Sequence, residues 1–315
     1  MTSTWNKIVN LHKPPGPTSF DLVRRVKTRL NAKKAGHIGT LDPMAEGVLP
    51  VAINGATRVI QFLTHLPKTY QAEMRLGAVT DTQDETGRVL ETKSAEAVTE
   101  NQAKDVLQAI VGEQAQIPPM YSAKKKNGIP LYKLARNGIT VKREPVSIHI
   151  YAISFLGMEG DRVRFQVKCS AGTYVRTLCH DMGARLGCGA HMSRLVRVQV
   201  GPFGLESALT PEALDAAWAE GSLAGKLLET DQALHFLPEI RVKPEGVAPI
   251  AHGRAIPKAS LESVPETFEP GISVRVTHPG GGLLAIAEPV TDAEGFARLA
   301  PRDVAFKLKR VLIEP

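Results

Sequence analysis

Cysteine is scarce in this chain, which has three in 315 residues. Cys169, Cys179 and Cys188 are odd in number and show no C-x-x-C spacing, so we expect neither a disulfide framework nor a cysteine zinc site. No apolar run approaches the roughly 18 residues of a membrane helix, and the N-terminal MTSTWNKIVN lacks the pattern of a signal peptide. We therefore predict a cytoplasmic, globular protein that does not enter the membrane.

The common catalytic signatures are also missing. Neither G-x-G-x-x-G nor G-x-x-x-x-G-K-[ST] occurs, and no Ser-His-Asp arrangement is legible. What stands out is a lone acid, Asp42, in the glycine-rich stretch GHIGTLDPMAEGVLP, where Pro43 favours an extended backbone at Asp42. Two interpretations stay open: Asp42 caps a turn, or it acts as a nucleophile or base that a cation holds ionised.

Acidic residues are absent from one long segment, residues 122 to 143. That segment holds seven cations: Lys124, Lys125, Lys126, Lys133, Arg136, Lys142 and Arg143. Residues 1 to 204 contain 28 Lys and Arg against 16 Asp and Glu, whereas residues 205 to 315 contain 11 against 16. Such a basic half is typical of a nucleic-acid binder, the alternative being a solvated lysine-rich face.

Hydrophobic periodicity predicts helices and strands in irregular alternation, and hence an α+β domain around a mixed or antiparallel sheet. The predicted strands are VLPVAI, TYQAEMRLG and VRFQVKCS; the predicted helices begin after Thr18, span residues 99 to 112, and include GATRVIQFL, LYKLARNG and TYVRTLCHDMGARLG. Ten of the 22 prolines lie between Pro238 and Pro315, which favours a small β-barrel there. We predict domains at 1–237 and 238–315, with a boundary near residues 230 to 245, and a loop or arm over 118–145.

Five segments together resemble the TruB family of tRNA pseudouridine synthases. In chain order they are LHKPPGPTSFDLVRRVK, GHIGTLDPMAEGVLP, TYQAEMRLGAVTDTQDETG, IPPMYSAKKKNGIPLYKLARNGI and CSAGTYVRTLCHDMGARLGCGAH. The resemblance implies a pseudouridine-synthase-like catalytic domain followed by a PUA-like β-barrel. It also implies isomerisation of the T-loop uridine, position 55, with the tRNA T stem-loop as partner and with neither metal nor cofactor. We expect a monomer.

The family's functional residues map onto matching positions of this sequence. The resemblance makes Asp42 the catalytic aspartate, Arg176 its ion partner and Asp84 an acid that supports the pair. It makes Tyr70 the ring that stacks on the target base, although the alternation of its strand alone favours a core residue. Without the resemblance, Asp84 is a turn residue and Arg176 a helix-end cation.

The remaining residues are expected to contact the RNA. Tyr174 and Leu195 match residues that line the uracil pocket, and His37 matches a histidine that inserts into the RNA rather than a metal ligand. Lys124, Lys125 and Lys126 belong to the arm that closes over the T stem-loop. A non-catalytic RNA-binding or RNA-folding role is the rival hypothesis and can coexist with catalysis. The same chemistry on another RNA is a third.

Overall fold

The computed structural model describes residues 5 to 313. Residues 1 to 4 and 314 to 315 lie outside that part. They are the first residues of the predicted domain 1–237, where MTSTWNKIVN begins, and the last residues of the predicted domain 238–315. The described residues form strands β1 Lys7–Lys13, β2 Ala35–His37, β3 Glu46–Ile53, β4 Lys68–Leu76, β5 Ala78–Thr80, β6 Val89–Thr92, β7 Gly112–Gln116, β8 Lys125–Lys126, β9 Ile129–Pro130, β10 Val146–Glu159, β11 Arg162–Cys169, β12 Ala190–Val200, β13 Phe203–Gly204, β14 Leu228–Glu229, β15 Glu239–Val242, β16 Ile256–Pro257, β17 Leu261–Ser263, β18 Val274–Thr277, β19 Leu283–Pro289 and β20 Val304–Val311. Their α-helices are α1 Ser19–Arg29, α2 Ile60–Leu63, α3 Glu100–Gln108, α4 Leu131–Arg136, α5 Val175–Arg185, α6 Pro211–Ala219, α7 Thr230–Ala233, α8 Val247–Ala251 and α9 Ala293–Arg298.

A ten-stranded mixed sheet forms the body of the molecule. Its order is β14-β1-β3-β12-β4-β11-β10-β7, with β13 beside β12 and β2 beside β3. All pairings are antiparallel except that of β3 with β12, which is parallel. β12 thus lies between the strand that follows the Asp42 loop and the strand that carries Tyr70. The predicted α+β class around a mixed sheet is confirmed.

Helix caps explain where two of the long helices begin. Thr18 and Asp21 form a reciprocal capping box at the start of α1, and Thr99 and Gln102 form another at α3, as the sequence predicts. The predicted helix over residues 99 to 112 is too long, because α3 ends at Gln108 and Gly112 opens strand β7 with φ +96°. The predicted helix GATRVIQFL is only partly α-helical, since Asn54–Val59 forms a 3-10 helix before α2.

The apolar core consists of separate clusters that pack against the large sheet. One cluster joins α3 and α5 to β4, β10, β11 and β12, and a second joins α1 and α6 to β1 and β3. Ser19, at the first turn of α1, is buried, and its hydroxyl both donates to the Leu41 carbonyl at 3.0 Å and accepts from the Leu41 amide at 2.9 Å. These two hydrogen bonds connect the loop that carries Asp42 to α1.

The C-terminal part is a six-stranded, nearly closed, barrel-like sheet in the order β16-β20-β19-β18-β15-β17. Its helices are short, as the proline content predicts. The large sheet ends at Glu229 and this sheet begins at Glu239, and we propose the domain boundary in this interval. Ile286 of β19 packs into the cluster around Ile8 and Ile38, so the two sheets share an apolar contact.

Among residues 5 to 313, no helix has the length and apolar character needed to span a membrane.

Phe165 is fully buried between β4 and β10, so its truncation tests the main core. We expect Phe165→Ala to lower the free energy of unfolding by about 3–5 kcal/mol, because it removes a large apolar group and leaves a cavity. Phe20→Ala, at a ring that is 62% exposed, is the matched control and should cost about 1 kcal/mol or less. Urea denaturation of both variants measures the difference, and equal losses would contradict this description of the core.

Candidate active site

Asp42 and Arg176 form an ion pair although 134 positions separate them in the chain. The Arg176 Nε lies 2.9 Å from Asp42 Oδ2, and Nη2 lies 3.3 Å from Oδ1, so the contact is bidentate. Arg176 is the second residue of α5, and its side chain is 5% exposed, whereas that of Asp42 is 36% exposed. The carboxyl therefore faces accessible space while its partner is held inside the protein. The alternative of a surface helix-end cation is wrong.

Asp84 contacts the same guanidinium from its other side. Arg176 Nη1 lies 3.4 Å from Asp84 Oδ2 and donates to the Thr82 carbonyl at 3.0 Å. The other Asp84 oxygen accepts from the Thr82 hydroxyl and from both the amide and the hydroxyl of Thr86, at 2.6 to 3.0 Å. Asp84 is thus buried in a well-satisfied turn, and it holds Arg176 in one orientation.

The base of the basic arm supplies a further acceptor. Arg176 Nη2 donates to the Tyr121 carbonyl at 2.8 Å, so each nitrogen of the guanidinium has a partner. Arg143, near the other end of the arm, donates to the Pro118 carbonyl at 3.1 Å, which joins the two ends of the arm. The arm therefore meets the site directly at Tyr121.

Burial raises the pKa of the Asp42 carboxyl above that of an ordinary aspartate, and nearby Asp84 adds to the rise. The Arg176 guanidinium opposes both effects, with a smaller contribution from Lys13. Because the net direction is upward, Asp42 is a stronger base and a stronger nucleophile than a free carboxylate once it is ionised.

Tyr70 and Leu195 lie on adjacent strands in the wall of the site. Leu195 pairs with Ala72, two residues along β4 from Tyr70. The side chains of Leu195 and Tyr70 belong to the cluster that includes Leu41 and Ala45. Tyr70 is 8% exposed, and burial raises the pKa of its hydroxyl despite the neighbouring Arg197. Asp42 is close enough to influence the same hydroxyl electrostatically. Tyr70 is thus both a core residue, as alternation predicts, and a neighbour of Asp42.

Tyr174 immediately precedes α5, where a glutamine holds its backbone. The Tyr174 amide donates to Gln116 Oε1 at 2.8 Å, and its carbonyl accepts from Gln116 Nε2 at 3.1 Å. Gln116 is buried at the end of β7, so this two-way contact sets where α5 begins and hence where Arg176 lies.

His37 ends β2, five residues before Asp42, and is half-buried. Its Nδ1 is buried without a hydrogen-bond partner in the described structure. Burial lowers the pKa of the imidazole, and the charge of Arg197 lowers it further, so His37 is neutral at physiological pH. Within residues 5 to 313, no cluster of three or more His, Cys, Asp or Glu side chains is arranged to hold a metal ion.

Lys124, Lys125 and Lys126 are exposed on the arm, away from the ion pair, and β8 and β9 form a two-stranded hairpin there. Lys126 Nζ donates to the Lys142 carbonyl at 2.8 Å, which connects the hairpin to the irregular segment at the end of the arm. A second basic feature is a cavity of about 470 Å³ along α1, which reaches Gly36 beside His37. Its lining includes the cations Arg24, Lys27, Lys33 and Lys34 and no acid.

Sequence reasoning missed Lys13, Gln116, Tyr121 and Arg197. The Lys13 ammonium is fully buried and donates to the carbonyls of Pro14, Pro43 and Ala45, of which the last two follow Asp42 in its loop. Burial lowers the pKa of Lys13 to about 8. A signal did exist for Arg197: it lies two residues after Leu195, so strand alternation places both on one face. Nothing in the sequence indicated the backbone carbonyl of Tyr121.

Comparisons with known proteins identify the family of the chain. Residues 27–175 match the model of the TruB family pseudouridylate synthase N-terminal domain, and residues 176–235 match that of the tRNA pseudouridylate synthase B C-terminal domain. The tRNA pseudouridine synthase B of Syntrophotalea carbinolica is 43% identical over 278 residues, which are 88% of this chain and 90% of that protein. The enzyme of the same name from Stutzerimonas stutzeri is 42% identical over 94% of both chains.

Solved structures show the same fold. A Cbf5-Nop10-Gar1 complex contains a chain that superposes with a TM-score of 0.80 at 31% identity, over 98% of this chain and 85% of that one. A chain of an H/ACA RNP bound to a substrate RNA superposes with a TM-score of 0.78 at 29% identity, with the same coverage. The fold and these matches define a pseudouridylate synthase with a PUA-like C-terminal domain. Within that class, the chain belongs to the TruB family.

The charge balance at Asp42 predicts a pH dependence. Ionised Asp42 exists only above its pKa, so the rate of a reaction that needs the carboxylate falls as the pH drops, with a midpoint above the 3.8 of an ordinary aspartate. Arg176→Met removes the cation that favours the ionised form, so the midpoint moves to higher pH. Carbon-13 NMR of the labelled Asp42 carboxyl measures it directly.

Arg75→Met is the control for that titration, because Arg75 pairs with exposed Asp161 instead. It should leave the Asp42 midpoint where it is. A midpoint that stays constant or falls in Arg176→Met would show that Arg176 does not sustain the charge of Asp42.

Proposed function

We propose that this protein is a tRNA pseudouridine synthase that isomerises the T-loop uridine at position 55, with Asp42 as the catalytic residue. The observation that carries the proposal is the Asp42–Arg176 pair, in which a buried arginine holds a carboxylate that remains accessible. A protein that only binds RNA has no need for an accessible carboxylate held in this way. We further propose that it works in the cytoplasm as a monomer and uses neither metal nor cofactor.

The reaction breaks the N1–C1′ bond of uridine and forms a C5–C1′ bond. C5 loses its proton and N1 gains one, so the product has the same atomic composition as the substrate. Asp42 provides the negative charge that acts on the target nucleotide as nucleophile or base, and Arg176 keeps that charge ionised and directed. Tyr70 offers a ring face to a uracil that has left its stack, and Leu195 and Tyr174 bound the pocket. The apolar cluster behind them lowers the local dielectric and strengthens these interactions.

The RNA interface that we propose consists of the arm and the cavity along α1. Lys124, Lys125 and Lys126 contact phosphates of the T stem-loop, and His37 contacts the loop from which the uridine is withdrawn. The four cations that line the α1 cavity form no ion pair within residues 5 to 313, whereas Arg25 and Arg29 on the same helix pair with Asp215. Unpaired cations are the ones available to phosphates.

Asp42→Asn tests the chemical role. It preserves shape but removes the charge, so we expect pseudouridine formation on an unmodified T-arm stem-loop to fall by about a thousandfold or more. Affinity for the stem-loop should change by less than about threefold, because phosphate contacts dominate binding. Pseudouridine is quantified by mass spectrometry under single-turnover conditions.

Asp161→Asn serves as the control, since Asp161 is an exposed acid paired with Arg75. It should retain the activity of the unaltered protein. Normal activity in Asp42→Asn would overturn the mechanism, and an unaltered protein that binds the stem-loop without modifying it would favour the RNA-folding role. Preferential conversion of ribosomal RNA fragments would instead assign the same chemistry to another substrate.

Changing Lys124, Lys125 and Lys126 together to Ala tests the arm. We expect weaker T-arm binding and a salt dependence whose slope falls by up to about 0.9 for each lost phosphate contact. The control replaces Lys93, Lys104 and Lys309, three exposed lysines paired with Glu91, Glu100 and Glu288. Binding is measured by fluorescence anisotropy across salt concentrations. Equal effects in the two triple variants would mean that the arm lysines affect RNA affinity only through the net charge of the protein.

A further inference from the structure

Arg197 is the largest fully buried side chain in the described part of the chain, and its charge is not matched by a carboxylate there. It lies in the middle of β12, paired with Gly47 on one side and with Tyr70 on the other. An arginine stays protonated even when burial lowers its pKa, as it does here. Burying such an unpaired charge is costly, so its bonds have to be good ones.

Those bonds go to the backbone of the Asp42 loop. Arg197 Nη2 donates to the Gly39 carbonyl at 3.0 Å, and Nη1 lies 3.3 Å from the Thr40 carbonyl. Its Nε donates to the Val48 carbonyl at 2.8 Å, on the far side of Asp42. The Arg197 guanidinium therefore contacts the backbone both before and after Asp42.

Two glycines of the loop make this approach possible. Gly39 has φ +89°, and a Cβ there would lie 3.3 Å from Arg197 Nη1. Gly47 has φ +110°, and a Cβ there would lie 2.2 Å from the Arg197 carbonyl oxygen, which no real contact permits. Gly39 thus lets the loop approach the Arg197 guanidinium, and Gly47 lets it approach the β12 backbone at the same residue.

From this geometry, and resting on the proposed function, we propose that Arg197 is a positioning residue for the reaction. It does not touch the substrate. It fixes the Asp42 loop on β12 and keeps Tyr70 in register beside that loop, so that the carboxylate and the ring face the same nucleotide. Arg176 orients the Asp42 side chain, whereas Arg197 orients the backbone from which it projects.

Arg197→Lys keeps a positive charge but cannot hold three carbonyls in one plane. We expect its kcat on the T-arm stem-loop to fall by about tenfold to a hundredfold, since small misplacements of a catalytic group have costs of that order. KM should change by less than about threefold, because Arg197 is not exposed to RNA. The same limit applies to the dissociation constant of the RNA complex, measured with Arg197→Lys added to the inactive Asp42→Asn variant. Activities are normalised to the folded fraction measured by circular dichroism.

Gly39→Ala perturbs the same contact from the loop side and provides a second test should Arg197→Lys be poorly folded. We expect a similar selective loss of kcat, and the double variant should lose less than the product of the single losses, because both changes break one contact. Arg275→Lys is the matched control. Arg275 is a buried arginine of β18 that contacts Asp231 and the Leu237 carbonyl, outside the Asp42 loop, so kcat should stay within about threefold.

Hydrogen exchange separates this proposal from the proposed function. The amides of Ile38, Leu41 and Ala45 donate to Pro50, Ser19 and Asp42, and their protection should fall in Arg197→Lys relative to Arg275→Lys. That result holds whether or not the protein modifies the T-arm; an inactive unaltered protein would count against the function alone. Unchanged kcat in folded Arg197→Lys, multiplicative losses in the double variant, or unchanged protection would each overturn the role of Arg197.

Discussion

A carboxylate that must be ionised, accessible and fixed in place is the constraint on which the rest of this structure depends. Water alone ionises a carboxylate but does not fix it, and a dry core fixes it but opposes its charge. The molecule meets both demands by burying the cation and leaving the anion at the surface of the pocket. Arg176 is held by Asp84, Thr82 and Tyr121, so Asp42 meets a preformed partner.

The central strands of the large sheet position the residues of this site. β3 leaves the Asp42 loop, β12 carries Leu195 and Arg197, and β4 carries Tyr70, and these three are neighbours. Side chains from distant segments therefore meet on one face with little freedom to move apart. A site built on adjacent strands is more precise than one built on loops alone, and here the single catalytic loop is secured at both ends to a strand.

Local features were accessible from the sequence because their causes are local. The capping boxes at Thr18 and Thr99 and the alternation around Tyr70 involve residues a few positions apart. The pairing of Arg176 with Asp42 spans the fold, and only the ordered family motifs indicated it. Arg197 escaped notice because its burial depends on β12 having neighbours on both sides, which a single segment does not reveal. The end of α3 was misjudged because apolar residues continue into the turn before β7.

The hydrogen bond between Arg176 and the Tyr121 carbonyl couples the position of the arm to that of the ion pair, and this coupling is reciprocal. Any opening movement that carries Tyr121 away removes an acceptor from the guanidinium, and whatever steadies the guanidinium favours the closed arm by the same free energy. An open arm is thus coupled to a less constrained arginine. The segment that we propose to bind the RNA is thus connected to the proposed catalytic pair through a single backbone oxygen, that of Tyr121.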